Sequence, residues 1–389
     1  MRHLIAAAGL LLTAAAPAGA PHPANFNAFG IAVFQRLAAQ NGSANVVISP
    51  VSIGIALSMT ADGAAGSTRS EIVRALSVRG NLTAASAALI SELGANRDAQ
   101  IGLANAVWTR SDIAPSPAYA RLLKDKYAAQ AQALKFGDPS AAAAINAWTS
   151  AHTLGHVDRL VASTDPVDFL YLTNALSFEG KWSAPFKKSE TRNAPFTPAT
   201  GAAHDVAMMT ANGSYAMMDG GTYRALRMPY GEGGYAAYIL LPNDARGADA
   251  LAAKLSASGF EKLAAAMHPA AVALSLPRFT AHGKAALNAT LQAMGIRTAF
   301  LKTANFTPLH KAPPGLSLSK VDHASFVHVD EDGTVAAAAT SAGISMTAIM
   351  APANRFVVDH PFIFAIRDER SGNLLFVGLI RDVTPSPAG

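Results

Sequence analysis

The sequence predicts one large domain of the α+β class. Segments with apolar residues at helical spacing dominate the first part of the chain, and strand-like runs dominate the second part. Strands and helices do not alternate regularly, and the sequence contains no internal repeat and no linker rich in Pro, Gly and Ser. Together these observations favour one α+β domain over a doubly wound parallel sheet or a tandem of small domains.

Composition limits the possible functions. The chain has 389 residues, 50% of them hydrophobic, which is enough for a large core. Lys and Arg number 31 against 26 Asp and Glu, and the resulting net charge of +5 is spread along the chain. A surplus this small does not predict binding to nucleic acid or to a membrane. The chain has no Cys, which excludes disulfide bonds and a cysteine nucleophile.

The individual elements follow from periodicity and turn residues. Helical patterns or helix starts occur at 25–40, 52–59, 67–71 and 141–152. Strand-like runs occur at 101–108, 168–177, 235–241, 272–276, 326–330, 362–367 and 374–380. Turn signals rich in Pro, Gly and Asn occur at 229–231, 242–244 and 371–373.

The first twenty residues have the pattern of an export signal. A positive end at 1–3 precedes an apolar stretch at 4–16, and Ala18-Gly19-Ala20 has the small residues of a cleavage site. We therefore expect residues 1–20 to be a signal peptide and residues 21–389 to fold as a single domain in the periplasm or outside the cell. The heavy use of Ala favours a bacterial, GC-rich coding background.

Motifs of catalysis are scarce. The sequence contains no nucleophile elbow, no zinc-protease motif, no Walker loop and no dinucleotide-binding glycine motif. Its His residues lack metal-ligand spacing, so we predict no enzyme activity, no metal and no cofactor. Ser317-Leu318-Ser319-Lys320 fits the Ser-x-x-Lys pattern of a penicillin-type nucleophile, and this leaves a hydrolase as an alternative. The Ser-Asp-Asn and Lys-Thr-Gly motifs that accompany that pattern are missing.

The most informative segment begins at Asp330. Asp330-Glu331-Asp332 is followed by Gly333, a run of small residues, and no further charge before Arg355. A fixed core strand would carry larger β-branched or aromatic residues. A fixed helix would not accumulate Gly, Ser and Thr. Small uncharged side chains suit a segment that is exposed in one state and buried between strands in another. A flexible linker or an Ala-rich helix is the alternative.

Residues 330–340 resemble the hinge of the serpins, the family of serine protease inhibitors. Further segments resemble other parts of that family in the same order: 45–53 with 63–68, 105–108, 145–148 with 153–157, 173–175 with 180–186, 276–279, 294–300 and 356–364. The similarity extends from about residue 25 to residue 383. It implies the serpin fold, with three β-sheets, about nine helices and an exposed reactive-centre loop at about 333–355.

In this family the loop inserts into the central sheet as an added strand after it is cleaved. The resemblance implies a hinge formed by Glu331, Gly333, Thr334, Ala336, Ala338 and Thr340. From Thr334 onward every second side chain of the hinge is expected to face inward. None of the inward-facing side chains from Thr334 onward is charged, so burial would leave no unpaired carboxylate. Val335 stands where the family usually has Glu, at a position that should face outward.

The family's spacing from Glu331 places the reactive bond at Thr347–Ala348, with Met346–Thr347 as the alternative. A medium-sized, uncharged residue before the bond favours elastase-, subtilisin- or chymotrypsin-like proteases over trypsin-like ones. The resemblance thus implies a monomeric inhibitor that forms a covalent one-to-one complex with a serine protease. A non-inhibitory binding or chaperone-like member of the same fold is the alternative.

Two polar clusters follow from the same resemblance. Ser49, Ser52, Asn174 and His323 resemble the serpin shutter, a cluster beneath the sheet where strands must part, and we expect them to form a hydrogen-bonded latch. Unrelated helix-cap and core polar residues are the alternative. Trp182, Arg278 and Glu331 resemble the breach, the site at the top of the sheet where insertion begins. There we expect an ion pair between Arg278 and Glu331.

Overall fold

A computed structural model describes residues 23–311, 315–334 and 354–384. The predicted signal peptide (1–20) lies outside the described residues. The described residues form nine α-helices: α1 (Asn27–Gln40), α2 (Pro50–Asp62), α3 (Gly66–Leu76), α4 (Leu82–Ala95), α5 (Pro117–Tyr127), α6 (Pro139–His152), α7 (Ala248–Lys254), α8 (Ala257–Ala266) and α9 (Asn288–Ala293). Within the described ranges, none of the helices has the length and apolar character needed to span a membrane.

The described residues also contain fifteen strands. They are β1 (Val46–Ile48), β2 (Ala99–Arg110), β3 (Gln130–Leu134), β4 (Leu170–Lys181), β5 (Arg192–Phe196), β6 (His204–Asp219), β7 (Tyr223–Tyr230), β8 (Tyr235–Pro242), β9 (His268–Pro277), β10 (Phe279–Ala286), β11 (Leu318–Val329), β12 (Gly333–Thr334), β13 (Asn354–Val357), β14 (Phe362–Asp368) and β15 (Leu374–Ile380). The central sheet has the strand order β10-β11-β12-β4-β2-β3, and β4 also pairs directly with β11. The remaining strands follow the order β1-β15-β14-β8-β7-β6-β9-β13, with β5 beside β6.

The number of sheets corrects one expectation. Three sheets were predicted, whereas the described strands form one six-stranded and one nine-stranded sheet. The difference arises at β6, which pairs with β9 over most of its length and with β7 at its end. One continuous strand thus joins what would otherwise be two smaller sheets. The α+β class and the number of helices agree with the prediction.

Strand β11 was only partly predicted. The sequence pattern indicated a strand at 326–330, but β11 begins at Leu318. Its first half carries Asp322, His323 and Ser325, which interrupt the hydrophobic pattern that predicts a strand. His323 and Ser325 are nevertheless buried, and both side chains are hydrogen-bonded. Tertiary partners therefore make these polar residues compatible with a buried strand.

The central sheet is covered on both faces. On one face it packs against α2, whose residues from Pro50 to Ala61 are all buried. On the other face it packs against α6, where Trp108 of β2 meets Trp148 edge-on with ring centroids 5.6 Å apart. The indole of Trp108 also donates a 2.8 Å hydrogen bond to the Thr173 hydroxyl on β4. A strand added to this sheet would therefore lie between α2 and α6.

Candidate functional site

The central strands β4 and β11 separate at one end. They pair in parallel from Leu170 and Leu318 as far as Ser177 and Phe326, and we call the point where they diverge the fork. Strand β12 occupies the fork: Gly333 and Thr334 pair with the end of β4, and Thr334 also pairs with Val329 of β11. The hinge therefore already lies between the two central strands at Thr334.

The fit of β12 is tight. A Cβ atom on Gly333 would lie 2.1 Å from the carbonyl oxygen of Gly180, so only glycine can pair this closely with β4. Thr334 is fully buried, and its Oγ1 lies 2.5 Å from the hydroxyl oxygen of Tyr230. Thr334 thus faces the core, as the predicted hinge requires of its first inward residue.

The acidic residues before the hinge form a turn. One carboxylate oxygen of Asp330 accepts hydrogen bonds from the backbone N–H groups of Asp332 and Gly333, at 2.9 and 3.0 Å. Asp332 in turn forms a 2.8 Å ion pair with Lys188. This hydrogen-bonded contact raises the pKa of Lys188. The local Asp-Glu-Asp-Gly sequence therefore reverses the chain and directs Gly333 into the sheet.

Glu331 is the buried anchor of this turn. Its Oε1 atom accepts hydrogen bonds from Arg278 Nη2 at 2.5 Å and from the Thr191 hydroxyl at 2.6 Å. The Glu331 side chain is only 2% exposed, whereas that of Arg278 is 43% exposed. Burial by itself would raise the pKa of Glu331, but the bonds from Arg278 and Thr191 keep that pKa below its ordinary value. The predicted Arg278–Glu331 ion pair is therefore present, and Thr191 is a partner that the sequence did not reveal.

Trp182 holds the turn from the β4 side. Its indole N–H donates to the carbonyl of Asp330 at 2.9 Å, and its backbone N–H donates to the carbonyl of Asp332 at 3.0 Å. The Trp182 ring stacks on Tyr230 with centroids 4.3 Å apart and planes at 16°. Tyr230 therefore contacts both Trp182 and the hinge residue Thr334. The sequence indicated only a turn at Tyr230, because its role depends on a contact distant in the chain.

The four shutter residues form one connected network. The Ser49 side chain caps α2 by accepting from the Ser52 backbone N–H at 3.0 Å, and the Ser52 hydroxyl donates to Asn174 Oδ1 at 3.3 Å. His323 Nδ1 lies 2.6 Å from the same Asn174 oxygen, and His323 Nε2 accepts from the Ser49 backbone N–H at 3.1 Å. Because Asn174 is on β4 and His323 is its partner on β11, this contact ties the two central strands together beneath the sheet.

These contacts define the state of the His323 ring. Nε2 accepts a backbone N–H, so the single proton of the neutral ring is on Nδ1 and is donated to Asn174. Complete burial lowers the pKa of His323 to about 3. The neutral ring is thus the form that fits the network, because a second ring proton would displace the hydrogen bond from Ser49.

The remaining predicted site residues are not part of the described structure. Ala336, Ala338 and Thr340 of the hinge, and Met346, Thr347 and Ala348 around the reactive bond, lie outside the described residues. The chain is described again from Asn354, where β13 pairs in parallel with β9 in the other sheet. Residues 335–353 therefore connect the fork of the central sheet to an edge of the nine-stranded sheet.

The lysine of the Ser-x-x-Lys pattern contacts side chains outside that pattern. The amine of Lys320 lies 2.9 Å from the Tyr171 hydroxyl and 3.5 Å from the Asp168 carboxylate. Burial lowers the pKa of Lys320, but the contacts with Tyr171 and Asp168 outweigh it and raise that pKa. A lysine that acts as a general base needs the opposite shift. Across the residues that the structure describes, no cluster of His, Asp and Glu could hold a metal ion.

Comparisons with known proteins agree with this geometry. A family model described as "Serpin (serine protease inhibitor)" matches residues 24–383. The chain is 32% identical to the leukocyte elastase inhibitor of Bos taurus over 367 residues, which covers 90% of this chain and 96% of the relative. It is also similar to the native structure of tengpin, a thermophilic serpin, with a TM-score of 0.84 and 28% identity over 92% of this chain and 94% of tengpin. Human thyroxine-binding globulin has the same TM-score at 26% identity, over 92% of this chain and 97% of the globulin.

The buried His323 predicts a specific dependence of stability on pH. Below its ordinary pKa of 6.5 the ring binds a proton in the unfolded chain, whereas in the folded protein it stays neutral down to about pH 3. The contribution of the neutral His323 to stability is therefore fully present above pH 6.5. As the pH falls from about 6.5 to about 3, this residue alone lowers the free energy of unfolding by roughly 1.4 kcal/mol for each pH unit.

Urea unfolding midpoints between pH 7.5 and 5 measure this effect. The midpoint of His323→Asn should depend on pH less steeply than that of the wild type. The exposed His268, replaced by Asn, is the matched control and should leave the wild-type slope unchanged. Equal slopes in all three proteins would contradict a neutral, buried His323.

Proposed function

The chain belongs to the serpin family, and from that premise we propose that it inhibits serine proteases as a suicide substrate. The catalytic serine of the protease attacks the carbonyl of Thr347, the bond to Ala348 breaks, and the serine oxygen and the Thr347 carbonyl form an ester. The residues after Thr334 then insert between β4 and β11 and carry the esterified protease with them. The observation that supports this most strongly is the pairing of Gly333 and Thr334 within the fork.

Continued insertion would increase the number of backbone hydrogen bonds. In the described state, β4 and β11 bond directly to each other from Leu170 to Ser177. A strand placed between them removes this one set of inter-strand bonds and creates two sets, one on each edge of the new strand. Insertion can therefore release free energy, and that free energy can be used to distort the trapped protease before water hydrolyses the ester.

The side chains of the hinge suit this path. Thr334 faces the core, and alternation with a period of two would give Ala336, Ala338 and Thr340 the same orientation as insertion proceeds. Small uncharged side chains can enter the space above α2 without burying an unpaired charge. The shutter opposes the process, because the Asn174–His323 contact must break before β4 and β11 separate beneath the sheet.

The proposed partner is an elastase-, subtilisin- or chymotrypsin-like serine protease, bound one-to-one. Thr347 is uncharged and of medium size, which favours a primary specificity pocket without a buried acidic group. The similarity to a leukocyte elastase inhibitor supports the same class of target. The chemistry belongs to the protease, and this chain contributes the bond that is cleaved and the conformational change.

Mixing the protein with elastase or with subtilisin tests the proposal. We expect a covalent complex that survives SDS, together with a released carboxy-terminal peptide that begins at Ala348, identified by mass spectrometry. Cleavage of the loop with full protease activity and no complex would contradict inhibition.

A matched pair of hinge variants tests the insertion step separately. Ala338→Asp should bury an unpaired carboxylate, at a cost of several kcal/mol, so the yield of complex should fall at least tenfold while the loop is still cleaved. Ala337→Asp adds the same charge on the opposite face, where the Glu179 side chain near the fork is partly exposed, and should retain the complex. Equal yields from the two variants would contradict the proposed pattern of insertion.

A non-inhibitory binding protein is the second candidate, favoured by the structural similarity to thyroxine-binding globulin. A non-inhibitory hinge would be expected to carry bulky or charged residues or Pro, and residues 334–340 contain none of these. The melting temperature before and after nicking of the loop separates the candidates. We predict a marked rise on nicking, because the inserted strand adds backbone bonds, whereas an unchanged value would favour the second candidate.

A further inference from the structure

His156 lies on the face of the central sheet that α6 covers. It follows α6 in the connection to β4, next to Val157, which is buried in the cluster beneath this helix. On β11, Phe326 points to the same face and packs against that cluster, whereas His323 points to α2. The shutter and His156 therefore lie on opposite faces of the sheet.

One imidazole ring contacts both central strands. His156 Nε2 lies 2.6 Å from Oε1 of Glu179, near the end of β4. The same ring stacks on Phe326 of β11 with centroids 4.9 Å apart and planes at 3°. His282 of β10 contacts the Phe326 ring edge-on at 5.0 Å, which helps to fix the ring on which His156 rests. We call the two contacts of His156, with Glu179 and with Phe326, the staple.

The staple spans the fork. Phe326 and Ser177 are the last paired residues of β11 and β4, and Glu179 lies just beyond them on β4. Neighbouring strands are about 4.8 Å apart, so an added strand would roughly double the distance between β4 and β11. A single imidazole ring cannot then keep both a hydrogen bond to Glu179 and stacking on Phe326. Passage of the loop beyond Thr334 therefore requires one of these contacts to break.

We propose, on the premise that the loop inserts as described above, that His156 is a positioning residue that sets the rate at which the central sheet opens. The staple holds β4 and β11 together at the position that the hinge reaches next after Thr334. Both side chains of the hydrogen bond are partly exposed, 19% for His156 and 26% for Glu179, so loss of the staple does not leave the Glu179 carboxylate buried without a partner. Loss of the staple should therefore change mainly the rate of sheet opening. The shutter is buried in the folded core, so its loss should also change the stability of the fold.

The uptake of a synthetic peptide measures sheet opening without any protease. The probe is a fluorescently labelled peptide of residues 334–345, incubated with the intact full-length protein and followed by native gel electrophoresis. His156→Ala should take up the peptide about fivefold faster than the wild type, the order of effect of a partly exposed polar pair together with an aromatic contact. His152→Ala is the matched control, because the His152 ring stacks on Trp148 within α6.

Further variants separate a rate effect from a general loss of stability. Glu179→Gln should also accelerate uptake, by less than His156→Ala, because the amide oxygen is a weaker acceptor than the carboxylate. The double variant with His156→Ala should be less than additive, since both changes act on the same contact. His156→Gln can restore a hydrogen bond to Glu179 without stacking, so its rate should lie between those of the wild type and His156→Ala. If His156→Ala does not fold, Glu179→Gln and His156→Gln provide the same comparison.

Each outcome decides a different point. Faster uptake by His156→Ala and Glu179→Gln, with His152→Ala at the wild-type rate, supports the staple. Equal rates in the wild type and the staple variants overturn it and leave the proposed insertion intact. A protein that takes up no peptide in any variant would overturn the proposed insertion, and the staple with it.

Discussion

The structure depends on the contact between two parallel strands, β4 and β11. Their direct pairing extends only from Leu170 to Ser177 on β4, and at its end Gly333 and Thr334 already lie between them. The shutter joins the strands on the face towards α2, and His156 joins them on the face towards α6. Under the proposed insertion this arrangement has two endpoints, because the same backbone groups can bond to each other or to an added strand.

The residues of the turn and the hinge keep charge away from the path of insertion. Glu331 is neutralised by Arg278, and Asp332 pairs with Lys188, so the acidic turn is fixed outside the strand pairing. From Gly333 onward the sequence contains no charged residue until Arg355. The side chains of the turn up to Asp332 are thus charged and paired, and those from Gly333 onward are small and uncharged. This change coincides with the point where the chain enters the sheet. Burial on this path does not require removal of an ionised side chain from water.

The sequence alone predicted the parts of the site that have local or family-like patterns. The class of fold, the count of helices, the orientation of Thr334 and the Arg278–Glu331 pair all agree with the structure. Thr191, Tyr230 and His156 were not predicted, because each acts through a partner far away in the chain and has no distinctive local pattern. For the same reason the first half of β11 was missed and the joining of two sheets through β6 was not foreseen, since both depend on tertiary pairing.

A crystal structure of the protein after cleavage of its loop tests the central claim most directly. We predict that residues 334–344 form a complete strand between β4 and β11, that the Asn174–His323 hydrogen bond is broken, and that His156 no longer contacts both Glu179 and Phe326. A cleaved molecule with β4 and β11 still paired directly and with residues 335–344 outside the sheet would contradict it.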